Sequence, residues 1–164
     1  MNSEIQCFYY DANCLVKLVV DEDGSKEIRG HLYAPGVVVI TTVFCFYEAL
    51  GVLKSKWVGR RRPDFIETEE YHSASELLCA YVNDELIQIE EIKFGGQMFG
   101  PVTEKLSKKY NIDLSDAFQL IALKGGMISQ VSLIPILVTE DGALRKAGIG
   151  EGLKVLSISE LSNA

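Results

Sequence analysis

The sequence predicts an α/β domain built on a mostly parallel sheet with helices on both faces. Three observations carry that expectation. Short apolar segments of strand character recur along the chain, the β-branched run Val37–Ile40 being the clearest, and amphipathic segments of helical period separate them. Strands separated by helices need crossover connections, which lay the strands side by side and parallel. The 164 residues hold no internal repeat and no linker-like stretch. They therefore read as one domain, 1–164, long enough to bury about two-thirds of its unfolded-chain surface.

Ile5–Tyr10 is apolar and aromatic, a buried strand that ends at Asp11-Ala12-Asn13. Cys14–Val20 reads as a short helix broken by Asp21-Glu22-Asp23-Gly24, and Ser25–Leu32 as a second with Ser25 as its N-cap. Pro35-Gly36 precedes the strand Val37–Ile40. Thr41 and Thr42 cap a helix from Val43 to Trp57, whose core stripe is Phe46, Leu50, Leu53 and Trp57. Pro63 bars continuation, and a helix from Asp64 to Asn83 turns Leu77, Leu78 and Tyr81 inward. Leu86–Ile92 alternates as a strand, and Gly95-Gly96 turns the chain into the helix Val102–Tyr110. A helix over Ser115–Leu123, a strand over Ile134–Val138, a helix opened by Thr139 and ending near Gly148, and a strand over Leu153–Leu156 complete the order.

Sixteen Lys and Arg against 23 Asp and Glu leave a net charge of −7, and 48% of the residues are hydrophobic, which excludes a disordered chain or a fibre. Apolar runs such as Leu133–Val138 are far short of the roughly 20 residues that span a bilayer. Met1-Asn2-Ser3-Glu4 offers no basic region before an apolar stretch, so no signal peptide is expected. Cys7, Cys14, Cys45 and Cys79 form no CxxC pair and lie in apolar segments, which reads as buried free thiols and a cytoplasmic location. His31 and His72 have no Cys or His at zinc-ligand spacing; the first is placed at a helix end, the second on a polar helix face.

In parallel α/β sheets the functional groups gather beyond the carboxyl ends of the strands. Asp11 follows the first strand, with Asn13 two residues on; Glu48 lies early in the helix after the second; Asp116 opens the helix before the fourth; and that strand runs into Thr139-Glu140-Asp141. Each of Asp11, Asp116 and Asp141 also suits a helix N-terminus, where a carboxylate gains ~0.3–1 kcal/mol. Ser115 or Asp113 could cap one helix and Thr139 another. Glu48 is harder to explain as local chemistry. Its helical neighbours Phe44, Cys45, Gly51 and Val52 offer no basic partner, so its carboxylate needs water, a cation or a donor. Several carboxylates converging without basic partners repel one another, and a hard divalent cation such as Mg²⁺ or Mn²⁺ relieves that repulsion.

The segments Tyr10-Asp11-Ala12-Asn13-Cys14-Leu15-Val16-Lys17-Leu18, Tyr47-Glu48-Ala49-Leu50, Leu114-Ser115-Asp116-Ala117-Phe118-Gln119-Leu120 and Leu137-Val138-Thr139-Glu140-Asp141-Gly142-Ala143-Leu144 carry a resemblance, in their order and spacing, to the PIN-domain nucleases. The chain is similar to the VapC-type toxins of prokaryotic toxin–antitoxin pairs. The resemblance implies a PIN-like three-layer fold and a Mg²⁺- or Mn²⁺-dependent endoribonuclease. By position, Asp11, Glu48, Asp116 and Asp141 would be its catalytic and metal-holding acids. Asn13, Thr139 and Ser115 would be polar neighbours that support the acids or contact phosphate. Asp113 is the alternative to Asp116, and the Asp116-Ala117 pair fits the family better. A homodimer and an antitoxin partner are further implications. The stretch 58–75 and the approach 130–135 match no family motif.

Two basic clusters, Lys54, Lys56, Arg60, Arg61 and Arg62 in one and Lys105, Lys108 and Lys109 in the other, are candidate RNA contacts or plain solvated faces. Only Trp57 interleaves an aromatic ring with the first. Two other readings stay open: a non-catalytic PIN-fold module that binds RNA or protein, and an Asp-based phosphatase with Asp11 as nucleophile. The second resembles the haloacid-dehalogenase type, which wants an Asp where this chain has Asn13.

Overall fold

The structure, a computed structural model, describes residues 5–91, 101–125 and 135–163, the side chains of 101–103 and 163 excepted. In chain order the elements are β1 (Gln6–Tyr10), α1 (Ala12–Val19), α2 (Ser25–Leu32), β2 (Val37–Thr42), α3 (Val43–Val58), α4 (Thr68–Asn83), β3 (Ile87–Glu90), α5 (Pro101–Tyr110), α6 (Leu114–Gly125), β4 (Ile136–Val138), α7 (Gly142–Gly150) and β5 (Lys154–Leu156), then a 3-10 turn over Ile158–Asn163. The alternation read from the sequence is therefore the one observed. The Gly95-Gly96 turn and the approach 130–134 lie outside the described residues.

All five strands join one parallel sheet in the order β3-β2-β1-β4-β5. Side chains alternate across a strand, and β1 shows both faces covered. Phe8 and Tyr10 enter a core with α1, α2, α3 and α4, while Cys7 and Tyr9 enter a second core with α5, α6 and α7. The architecture is a three-layer α/β fold with β1 at its centre. Tyr10 carries its hydroxyl inside the first core, where it meets Nδ1 of the buried His31 at 2.7 Å, and the edge of His31 stands against Phe8. Among the described residues no helix is long and apolar enough to cross a membrane.

Element boundaries differ where a side chain is claimed by something distant. α1 starts at Ala12 rather than Cys14, because Asp11 itself caps it. Ser25 is not a side-chain cap; Gly24, at a φ of 86°, precedes α2, and the Ser25 hydroxyl accepts from Glu22 N and donates to the Val20 carbonyl. α4 begins at Thr68, because Asp64 is bound to Lys56 and Arg62. Its inner face is Ala74, Leu78 and Tyr81, with Leu77 exposed. On α3 the buried stripe is Cys45, Ala49, Leu53 and Lys56: Leu53 is buried as expected, whereas Phe46, Leu50 and Trp57 each lie one position past a buried residue and only flank it. Cys7, Cys14 and Cys45 are buried thiols, whereas Cys79 is exposed.

Candidate functional site

The strand order creates the site. The chain runs outward from β1 through β2 to β3, then returns across β1 to β4 and β5. The helix after β1 packs on one face of the sheet and α7, after β4, on the other. Two adjacent parallel strands whose connections part to opposite faces leave a crevice at their carboxyl ends. The register pairs Tyr10 with Val138, the last residues of β1 and β4, so Asp11 and Thr139 stand side by side at its floor.

Asp11 is 5% exposed. Its Oδ1 accepts from Ala12 N at 2.6 Å and its Oδ2 from the Thr139 hydroxyl at 2.8 Å. Thr139 Oγ1 also accepts from Asp141 N at 3.0 Å. Thr139 thus bridges two of the acids instead of capping α7. Asp141 is that cap, its Oδ1 accepting from Ala143 N and Leu144 N. Thr41 donates to the Tyr10 carbonyl at 2.8 Å, tying the end of β2 to β1, and Thr42 alone caps α3 through Cys45 N. Asp113, not Ser115, caps α6. Its Oδ1 accepts from Asp116 N at 2.9 Å and from the Ser115 hydroxyl, which sets Ser115 as a support of Asp113. Phe44, one turn before Glu48, stacks on Phe118, two residues after Asp116, with ring centroids 5.4 Å apart. That stack ties the helices of those two acids together, and the sequence offered no signal for it beyond aromatic residues near each. Asn13 lies exposed in the first turn of α1.

The electrostatics show that the acids share one field. Burial pushes the Asp116 carboxyl up, helped by Asp113, Asp11, Asp141 and Glu48, to about 7. Glu48, at the solvent-facing rim, is raised by partial desolvation and then by Asp11, Asp113 and Asp141. Asp11 is raised as well, because burial outweighs its hydrogen bonds from Thr139 and Ala12, and Asp141 and Asp113 add to it. The charges acting on these three groups are carboxylates, and Asp113 belongs to the set beside Asp116. Burial and the Asp11 charge also raise the thiols of Cys14 and Cys45, the latter to about 12, so both stay protonated at neutral pH.

The donor set suits a hard divalent cation. It offers carboxylate oxygens and no thiolate, and no described residue donates a hydrogen bond to the carboxyl of Glu48 or Asp116. Among the described residues, no three His, Cys, Asp or Glu side chains close on a single point. The acids share a field rather than forming a ready-made cage. Asp113, Asp141 and Glu48 are exposed, so the site is an open rim. A hollow of about 610 Å³ lies at the opposite end of the strands, among Gln6, His31, Pro35 and Leu161, and includes none of the acids.

The expected basic cluster divides in two. Lys56 is buried, 5% exposed, and pairs with Glu22 and with Asp64, so it is a core ion pair and not an RNA contact. Arg62 is exposed but held on Asp64. Lys54, Arg60 and Arg61 are exposed and carry no ion pair among the described residues. Trp57 stacks on Tyr71 and donates to Thr68, which removes it as a free stacking platform.

No protein-family model matches the chain, and no curated protein matches it. Its fold is matched among solved structures. The crystal structure of PAE2754 from Pyrobaculum aerophilum is similar at a TM-score of 0.57 and 16% identity, covering 98% of this chain and 91% of that one. At that identity the likeness speaks to the three-layer α/β fold alone.

Proposed function

We propose that the chain is a Mg²⁺- or Mn²⁺-dependent endoribonuclease that hydrolyses RNA phosphodiester bonds. One observation carries the reading: at the switch point of a parallel sheet, the carboxyls of Asp11, Glu48 and Asp116 are raised by burial and then by neighbouring carboxylates, those of Asp113 and Asp141 among them, and no described basic residue pairs with any of the three. Such mutual repulsion is costly unless a cation is bound, and it is the arrangement that two-metal phosphodiester chemistry uses. Asp11, Glu48, Asp116 and Asp141 would hold the metal. A divalent ion bound there would supply Lewis-acid stabilisation of the phosphate and a water of lowered pKa.

The chain's own groups have definable parts. Thr139 holds Asp11 in one orientation and, through Asp141 N, sets the start of α7. With its carboxyl pushed up to about 7, Asp116 is partly protonated near neutral pH, and a cation held there would favour its ionised form. Asn13, exposed beside Asp11, is free to contact a phosphate oxygen. The open rim admits a polymer. The resemblance to VapC-type toxins extends the proposal to a toxin of a toxin–antitoxin pair, acting as a homodimer with an antitoxin partner.

The test is cleavage of a mixed structured RNA pool with Mg²⁺, with Mn²⁺ and with EDTA, beside Asp11→Asn. Metal-dependent fragments that vanish in the variant support the nuclease. Neither cleavage nor Mn²⁺ binding would overturn it in favour of a non-catalytic binding module. Phosphorylation of Asp11 by a small-molecule donor would favour the phosphatase.

A further inference from the structure

Five side chains on and just beyond α3 are left over when the core and the acid site are accounted for. Tyr47 is 67% exposed, although it sits next to Glu48 on a helix with a well-filled inner stripe. Gly51, Lys54 and Val58 follow it at helical spacing, at i+4, i+7 and i+11, so the four share one outward face. The floor of that face is open, since a Cβ on Gly51 would meet nothing within 4 Å. Arg60 and Arg61 stand exposed just past the helix end. The charges of Lys54, Arg60 and Arg61 are unpaired among the described residues; in the second basic run only Lys105 is so, since Lys108 pairs with Glu104 and Lys109 with Glu151.

We infer that this outward face of α3, from Tyr47 through Lys54 to Arg60 and Arg61, is a track for single-stranded RNA, with Tyr47 stacking an unpaired base beside the acids. The inference rests on the nuclease reading and names its substrate class. An exposed aromatic ring followed by unpaired cations is the combination that holds single strands, since bases stack on the ring while cations follow the phosphates. A duplex keeps its bases stacked inside, out of reach of an exposed ring. The dimensions agree. At 1.5 Å per residue, Lys54 lies ~9 Å and the helix end ~15 Å along the axis from Glu48, the reach of a few nucleotides. Charge complementarity argues for a polyanion: these are unpaired cations leading up to a site that, once loaded with cations, attracts phosphate.

Binding, measured apart from cleavage, tests the track. Fluorescence anisotropy of a labelled unstructured oligoribonucleotide is followed in EDTA, against a perfectly paired hairpin of equal length. Wild type is expected to prefer the unstructured strand. Tyr47→Ala should weaken it roughly ten-fold or more, and Tyr47→Phe should retain it, because the face of the ring does the stacking. Arg60→Ala with Arg61→Ala should flatten the slope of log affinity against log salt by about 1.4, and Lys105→Ala should leave the slope unchanged. Unchanged affinity in Tyr47→Ala, or equal binding of the hairpin, overturns the track. So does a dimer that Tyr47→Ala dissociates while RNA binding persists, which makes the face a contact between copies. The two readings fail separately. Metal-dependent cleavage with no Tyr47 effect sinks the track alone, and Tyr47-dependent binding with neither cleavage nor Mn²⁺ binding sinks the nuclease alone.

Discussion

Replacing Asp116 by Asn should make the metal-free protein more stable while abolishing cleavage. Burial and four neighbouring carboxylates raise the Asp116 carboxyl from 3.8 to about 7. At about 1.4 kcal/mol per pH unit that rise would oppose the ionised form by on the order of 4 kcal/mol if the group were sealed from water. Asp116 is only half-buried, and solvent screening reduces the penalty to ~1–2 kcal/mol. The substitution also gives up a carboxylate in the first turn of α6, worth ~0.3–1 kcal/mol in the opposite sense. A net gain of ~1 kcal/mol remains, or ~2–4 °C in Tm for a domain of this size. The sign of the pH dependence follows from linkage. Between the unfolded and folded pKa the native state binds more protons, so the wild type loses stability as pH rises from about 4 to about 7. The advantage of Asp116→Asn is therefore full above pH 7 and fades toward pH 4. Thermal unfolding in EDTA at pH 8 and pH 4.5 measures it, and the difference between variant and wild type cancels distant titrating groups such as His31. Adding Mn²⁺ should then raise the Tm of the wild type more than that of the variant. A variant less stable than wild type at pH 8, or a difference that ignores pH, would refute the repelling cluster and leave Asp116 a simple helix-terminus acid.

Three other substitutions probe what holds the site. Thr139→Val keeps the shape but removes the buried donor to Oδ2 of Asp11 and the acceptor of Asp141 N, and should cost ~1–3 kcal/mol with activity reduced; urea unfolding reads the first and RNA cleavage the second. Lys56→Ala leaves Glu22 and Asp64 without their shared cation and should lower stability by ~2 kcal/mol, with faster proteolysis of the 59–67 segment; an unchanged melt would show the ion pair to be dispensable. Gly148→Ala would set a Cβ 2.9 Å from Val155 Cγ2 and 3.2 Å from Leu137 Cδ2, forcing α7 off β4 and β5 at ~1–3 kcal/mol, so its Tm should fall even though Ala is the better helix former.

What was legible in the sequence was what strand ends and helix caps determine locally. Asp11 and Asp141 each follow a strand and open a helix, and in a parallel sheet that alone places them at the carboxyl edge. Glu48 was legible for a different reason, since its helical neighbours gave no partner for its charge. The choice between Asp113 and Asp116 was less accessible, because it depends on which carboxylate turns back to cap α6, and the short loop between α5 and α6 allows either. The bond from the Thr139 hydroxyl to Asp11 lies outside any local pattern, because the two residues are 128 apart in the chain. The same limit misplaced Lys56. Helical period identifies an inner position, but an ammonium is tolerated there only through Glu22, 34 residues earlier, and Asp64 beyond the helix end. A run of basic residues therefore has no meaning as a binding surface until the acids that neutralise it are placed. Here they remove Lys56 and Arg62 and leave Lys54, Arg60 and Arg61. Lys54 shares its helix face with Tyr47, and the two arginines lie just beyond the end of that helix, so the pairing that removes Lys56 and Arg62 is also what gives the remainder a direction toward the acids.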